Sequence, residues 1–142
     1  MLSIISLKGG SGKTKTSINL AVFFAVMGQK VLLVDADVNN NLIRWHELRT
    51  EKQPDAPQID LVVLNTIEDL KRDFDEKAAG YDVVIIDGRP SVDLMCSFLL
   101  LLSDFAILPI IPSPLDLWTN DDVFLDYYEK AKAKNPELKT AF

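Results

Sequence analysis

The sequence predicts an α/β fold, three layers deep, with a mostly parallel sheet between two layers of helices. Three observations predict it. Short runs that are apolar throughout alternate with longer helical stretches, the pattern of strands covered on both faces. A Gly-rich stretch, Lys8–Thr14, separates the first apolar run from the first helix. Two apolar runs stop on aspartates, Asp35 and Asp87, where open α/β sheets bind ligands.

The elements follow in order. Leu2–Leu7 is a strand, and a helix spans Lys13–Met27 with Gly28 at its C′ position. Lys30–Val34 is the second strand. Asn40 or Asn41 can cap a helix running through Leu48, because Asn side chains accept from free N-terminal N–H groups. Thr50–Gln58, with Pro54 and Pro57, reads as a loop. Ile59–Leu64 is a third strand, Thr66–Ala79 a charged amphipathic helix ended by Gly80, and Tyr81–Asp87 a fourth strand. Ser91–Leu102 is a mostly apolar helix and Asp104–Ile110 a fifth strand. A Pro-rich turn, Pro109–Pro114, leads to a last helix from Leu115 or Asp116 to Lys134.

The 142 residues amount to one domain, and 48% are apolar against 25% charged, which excludes disorder. The net charge of -6 disfavours a grip on DNA by bulk charge. One cysteine, Cys96, excludes an internal disulfide or a cysteine-built metal centre. Met1–Leu7 lacks the basic region of a signal peptide. Met95–Ile111 is interrupted by Asp104 and Pro109, so it reads as buried helix and strand, not a membrane span. These features lead to the expectation of a cytoplasmic protein.

The strongest chemical signal is Lys8-Gly9-Gly10-Ser11-Gly12-Lys13-Thr14. Glycines let successive backbone N–H groups turn inward on an anion, and the following helix adds its positive end. Lys13 can reach β- and γ-phosphates, and the Thr14 hydroxyl can ligate Mg²⁺. The strict P-loop pattern has Gly where this chain has Leu7. Val34-Asp35-Ala36-Asp37 puts two carboxylates beside that loop, and Val83-Val84-Ile85-Ile86-Asp87 is a Walker B pattern.

Together KGGSGKT, VDAD, YDVVIIDGRPS and ILPIIPSPLDL resemble the deviant Walker A ATPases of the ParA/MinD type, nearest the small plasmid-partition (ParF-like) branch. The resemblance covers residues 1 to about 130. It implies a P-loop NTPase fold, ATP or ADP with Mg²⁺, and a slow ATPase that dimerises when ATP is bound. It implies DNA segregation with a ParB-like partner, and nucleoid association if DNA binding is retained; the acidic charge and the missing C-terminal part weaken non-specific DNA contact, and the tail Ala131–Phe142 is a poor amphipathic anchor, so no membrane contact is expected. Lys8 would cross to the partner's phosphates, and Gly9, Gly10, Ser11, Gly12, Lys13, Thr14 and Lys15 would bind nucleotide. Asp37 would position water, with Thr14, Asp35 and Asp87 at the metal. Pro112–Asp116 would lie near the nucleotide and the dimer face.

The departures are Val38-Asn39 in place of Pro-Gln, Lys15 in place of a second Thr, and Gly88-Arg89-Pro90 after Walker B. Arg89 could touch phosphate or a partner, but reads first as a solvated surface arginine. Family members continue for about another sixty residues, so residues 1–142 are expected to form one ATPase domain lacking the usual C-terminal part. Lys130, Lys132, Lys134 and Lys139, offset by Glu129 and Glu137, read as a solvated face. His46 and Cys96 read as structural, and of Tyr127 and Tyr128 one should be buried and one exposed. Trp118 suits a core or a dimer face equally. The rival readings are a non-hydrolysing regulatory module and a MinD-like positioning ATPase. An iron–sulfur carrier is disfavoured by the single cysteine.

Overall fold

A computed structural model describes residues 1–6, 8–39, 41–91, 93–110 and 125–141. The order is β1 (Leu2–Ser6), α1 (Lys13–Val26), β2 (Val31–Asp35), α2 (Asn41–Lys52), β3 (Ile59–Val63), α3 (Ile67–Ala78), β4 (Val83–Pro90), α4 (Leu94–Leu102), β5 (Phe105–Ile107) and β6 (Lys139–Ala141). Residues 125–134 are helical. The sheet runs β3-β2-β4-β1-β5-β6, and every pairing is parallel. The expected α/β architecture is therefore present.

Alternation along the strands sorts side chains onto two faces. Ile4, Val31, Leu33 and Ile85 pack with Ala21 and Ala25 of α1 and Leu42 of α2. Ile5, Leu32, Val34, Val84 and Ile86 pack on the other face with Leu70 and Phe74 of α3, Met95, Leu99 and Leu100 of α4, and Ala131. Helix α1 buries Lys13, Ser17, Ala21 and Ala25, one residue per turn. Three of these are small, so the helix lies close over the middle of the sheet.

Local chemistry sets most boundaries. At the end of α1, Gly28 has φ 83, its N–H bonds the Ala25 carbonyl and Gln29 N–H bonds the Phe24 carbonyl, the paired bonds of a Schellman stop. Thr66 caps α3 by accepting from Asp69 N–H at 3.0 Å. Asp93 caps α4 by accepting from Met95 and Cys96 N–H, so that helix starts at Leu94, three residues beyond the expected Ser91.

Other boundaries differ from the sequence reading. Helix α2 continues to Lys52, four residues past Leu48, because Arg49 is held within it by Gln53 and reaches the Pro57 carbonyl. Asn41 lies inside α2, and the possible Asn40 cap is outside the described residues. Leu7, the Pro112–Asp116 segment, Trp118 and the start of the last helix are also outside them. Strand β5 is shorter than expected, ending at Ile107. Strand β6 was not expected: it is short and polar, and it exists through pairing with β5 and the buried anchor Leu138.

Strand β4 runs three residues past Asp87. Ile4 pairs with Asp87 and Ser6 with Pro90, so Gly88 and Arg89 together oppose Ile5 alone, a bulge. A Cβ on Gly88 would lie 2.9 Å from the Ile4 carbonyl oxygen and 3.2 Å from Leu99 Cδ1. Gly88→Ala should destabilise the protein by about 1–3 kcal/mol, the usual cost of overpacking. Urea unfolding followed by circular dichroism measures it; an unchanged midpoint would show that the strand shifts freely there.

Candidate functional site

The Gly-rich loop joins the C-terminal end of β1 to α1, and a buried lysine organises it. Lys13 is 7% exposed, and its Nζ donates to Ser6 Oγ at 2.8 Å and to the Lys8 carbonyl at 3.5 Å. Ser6 Oγ in turn donates to the same carbonyl at 2.7 Å. Burial lowers the Lys13 pKa, while Asp87 and Asp37 pull it back up.

The loop's backbone suits an anion. Gly10 and Gly12 have φ 81 and 92, in the left-handed region, and nothing lies within 4 Å of a Cβ built on Gly9, Gly10 or Gly12. Helix α1 has no side-chain cap, unlike α3 and α4, and no acidic residue in its first turn. Its positive end is therefore left for a ligand. Ser11 Oγ is shielded from solvent and has no hydrogen-bond partner. Lys8 and Lys15 are exposed at the mouth.

Asp87 ties α1 to the sheet. Its carboxylate is 1% exposed and accepts from Thr14 Oγ1 at 2.7 Å and Ser17 Oγ at 2.9 Å. Burial raises its pKa, against the opposing pull of the two hydroxyls and Lys13. Asp35, its neighbour across β2 and β4, accepts from Asp37 N–H at 3.0 Å and Leu42 N–H at 3.4 Å. One of its oxygens thus holds the loop that carries Asp37 and the other the first turn of α2. Asp37 Oδ1 accepts from Asn39 N–H at 3.1 Å and Asn39 Nδ2 at 3.0 Å.

The geometry gathers Lys13, Thr14, Asp35, Asp37 and Asp87 at one end of the central strands. Thr14, Asp87 and Asp37 present hard oxygen donors, which fits Mg²⁺. Among the described residues no group of three or more His, Cys, Asp or Glu could hold a metal alone. A Mg²⁺ ion here would therefore share its sphere with phosphate and water oxygens.

Sequence reasoning passed over Ser6 and Ser17, and it noted Asn39 only as a departure, not for its hold on Asp37. The only signal for Ser6 is a hydroxyl closing an apolar strand, and for Ser17 its place one turn after Lys13. The secondary candidates are structural. His46 Nε2 lies 2.7 Å from the Ile59 carbonyl. Cys96 is buried, and burial pushes its thiol up to about 12. Tyr127 and Tyr128 are both half-buried against the core, not split between core and solvent. Lys130 pairs with Asp126, and Lys132 donates to the Pro136 and Leu138 carbonyls. Arg89, expected in solvent, is ion-paired with Asp93 and about one-third exposed.

A strand–glycine loop–helix with a buried lysine, beside a strand that carries a hydroxyl-bound aspartate, defines a P-loop protein. The family description "VirC1 protein" matches residues 1–142, and the chain belongs to that family. It is 35% identical over 141 residues to maintenance of carboxysome distribution protein A of Halothiobacillus neapolitanus, covering 99% of this chain and 63% of that protein. It is 29% identical over 133 residues to the chromosome-partitioning ATPase Soj of Thermus thermophilus, covering 77% of this chain and 53% of Soj. Cobyrinic acid a,c-diamide synthase of Mycobacterium smegmatis, solved with bound ADP and magnesium, shares the fold. Its TM-score is 0.78 at 24% identity, covering 98% of this chain and 71% of that one. The chain spans 51–63% of the length of the first curated relatives it matches.

The buried carboxylates set a pH dependence. Burial raises Asp35 from 3.8 to about 6, so the folded state holds its proton where the unfolded chain has lost it. The resulting stability is complete below about pH 4 and is lost as pH rises through about 6. It amounts to roughly 3 kcal/mol. Nucleotide-free protein should lose urea resistance between pH 4.5 and 7 (roughly the span of that shift). Asp35→Asn should flatten the loss; an equally steep profile in the variant would refute the assignment.

Proposed function

We propose that this chain binds Mg·ATP at the Gly9–Thr14 loop and hydrolyses it slowly, as the nucleotide switch of a partition or positioning ATPase. The observation that carries the reading is the prearranged cation at an uncapped helix: Lys13 held by Ser6 and the Lys8 carbonyl beside the open glycine backbone. Backbone N–H groups of residues 9–14 cradle the inner phosphates, and Lys13 neutralises the outer ones. Mg²⁺, when bound, offsets charge on the transferred phosphoryl group. Thr14 and Asp87 supply its protein-side oxygens, and Asp35 holds the backbone that presents Asp37. Asp37, fixed through Oδ1 by Asn39, orients the attacking water with its other oxygen. The adenine nucleotide follows from the Soj likeness, whose name specifies an ATPase.

ATP binding favours a face-to-face dimer in which Lys8 of each copy meets phosphates held by the other. Val38, Leu94 and Ile110, which follow β2, begin α4 and follow β5, are 60%, 76% and 46% exposed. Apolar groups so exposed at the ligand end of the sheet suit a surface that is covered in one state and released in another. The cargo is DNA, with a ParB-like protein stimulating hydrolysis. The carboxysome-distribution relative favours a second reading, in which the same switch distributes a protein assembly. No helix among the described residues is long and apolar enough to cross a membrane. In a third reading, Val38-Asn39 after Asp37 leaves a nucleotide-binding module that never turns over; phosphate release with and without a partner separates it from the first two.

Lys13→Ala should abolish nucleotide binding in calorimetric titration. Lys8→Ala should keep monomeric binding and lose the ATP-dependent dimer by light scattering. An ATP-dependent dimer of undiminished strength in Lys8→Ala would remove the cross-subunit role.

A further inference from the structure

The bulge in β4 gives the site a second cation. We propose that Arg89 contacts the outermost phosphoryl group of the bound nucleotide, and that Asp93 is its partner in the nucleotide-free protein. The inference rests on the nucleotide reading above and adds a residue to it.

Three observations support it. First, Gly88 and Arg89 share one position opposite Ile5. Bulges in parallel pairs are rare, and bulges beside functional sites re-aim a side chain. Gly88 makes this one possible, since its missing Cβ leaves room for the Ile4 carbonyl. Second, the re-aimed residue lies beside the loop. The next residue, Pro90, pairs with Ser6, whose hydroxyl receives Lys13 Nζ. Third, Arg89 is incompletely satisfied. One Nη donates to Asp93 Oδ2, but Nε is shielded from solvent and has no partner. Among the described residues one other side-chain polar atom is in that state, Ser11 Oγ of the Gly-rich loop.

Buried polar atoms are paired in the great majority of cases. Here one exception lies in the loop after β1 and the other near the end of β4, adjacent strands on either side of the place where the chain reverses its direction across the sheet. An oxyanion bound between those strands is the partner the proposal gives to both. Guanidinium suits phosphate because its planar fork bonds two oxygens at once. The glycine loop takes the inner phosphates and Lys13 reaches toward the outer ones, so a cation from the neighbouring strand adds a second contact at the outermost one. Asp93 can release Arg89 without being orphaned, since it still accepts from Ser91 Oγ at 2.9 Å and from Met95 and Cys96 N–H.

Calorimetric titration with ADP and with a non-hydrolysable ATP analogue, both with Mg²⁺, tests this. Arg89→Ala should weaken the triphosphate analogue by about tenfold or more, the effect of one charge-assisted pair, and leave ADP nearly unchanged. Arg89→Lys should fall between. Asp93→Asn, which keeps cap acceptors but loosens the ion pair, should bind the triphosphate at least as tightly as wild type. The proposal fails if Arg89→Ala weakens both nucleotides equally or neither, or if Asp93→Asn reproduces its loss, since the pair would then only brace α4. Should Arg89→Ala not fold, Arg89→Lys against Asp93→Asn decides alone. Wild-type protein that binds neither nucleotide overturns the nucleotide reading itself, whereas wild-type binding with an indifferent Arg89 overturns only this addition.

Discussion

The bond between Asp87 and the first turns of α1 is the constraint on which the rest of the structure depends. Thr14 and Ser17 are one face of that helix, and their hydroxyls take both oxygens of a carboxylate that is almost wholly buried. A buried carboxylate without such partners would be costly. With them, the helix is pinned over β4, and the loop before it must close between β1 and that point. The glycines, the Lys13–Ser6 bond and the uncapped helix end all follow from that short connection.

The same constraint separates three aspartates of similar appearance. Asp87 accepts from α1 through both oxygens. Asp35, its register partner, holds the backbone of the loop after β2 and of the first turn of α2. Asp37, also buried, is steadied on one oxygen by Asn39. In sequence, Asp35 and Asp37 look like a pair that shares one task. In the fold, the first shapes the loop that carries the second. This division holds carboxylates close to Lys13 without assigning all of them to a metal, and Asn39, which looks like a loss against the usual Pro-Gln, becomes the residue that orients Asp37.

Much of the fold was legible because its causes are local. The stop of α1 at Gly28, the Thr66 cap of α3 and the Gly-Lys-Thr turn each depend on residues a few positions apart. The start of α4 and the end of α2 also turn on near neighbours, but the other misplaced features depend on distant partners. Strand β6 has little intrinsic strand character and forms because β5 offers an open edge beside the buried Leu138. The extension of β4 depends on Ser6, more than eighty residues earlier. Arg89 read as a surface charge because the bulge that turns it toward Asp93 is set by pairing with β1, far away in sequence.

The sequence by itself determined the class of this protein, the strand–loop–helix that receives an anion, and the order of its elements. Periodicity, glycine conformation and capping act over a turn or two, so they can be read from the chain directly. Only the tertiary structure decided what each polar side chain does. Whether a carboxylate binds a hydroxyl, a backbone N–H or nothing depends on which strands are neighbours and in what register. A single extra residue in β4 changes where an arginine points. That choice is made by pairing across the sheet, and no short window of sequence contains it.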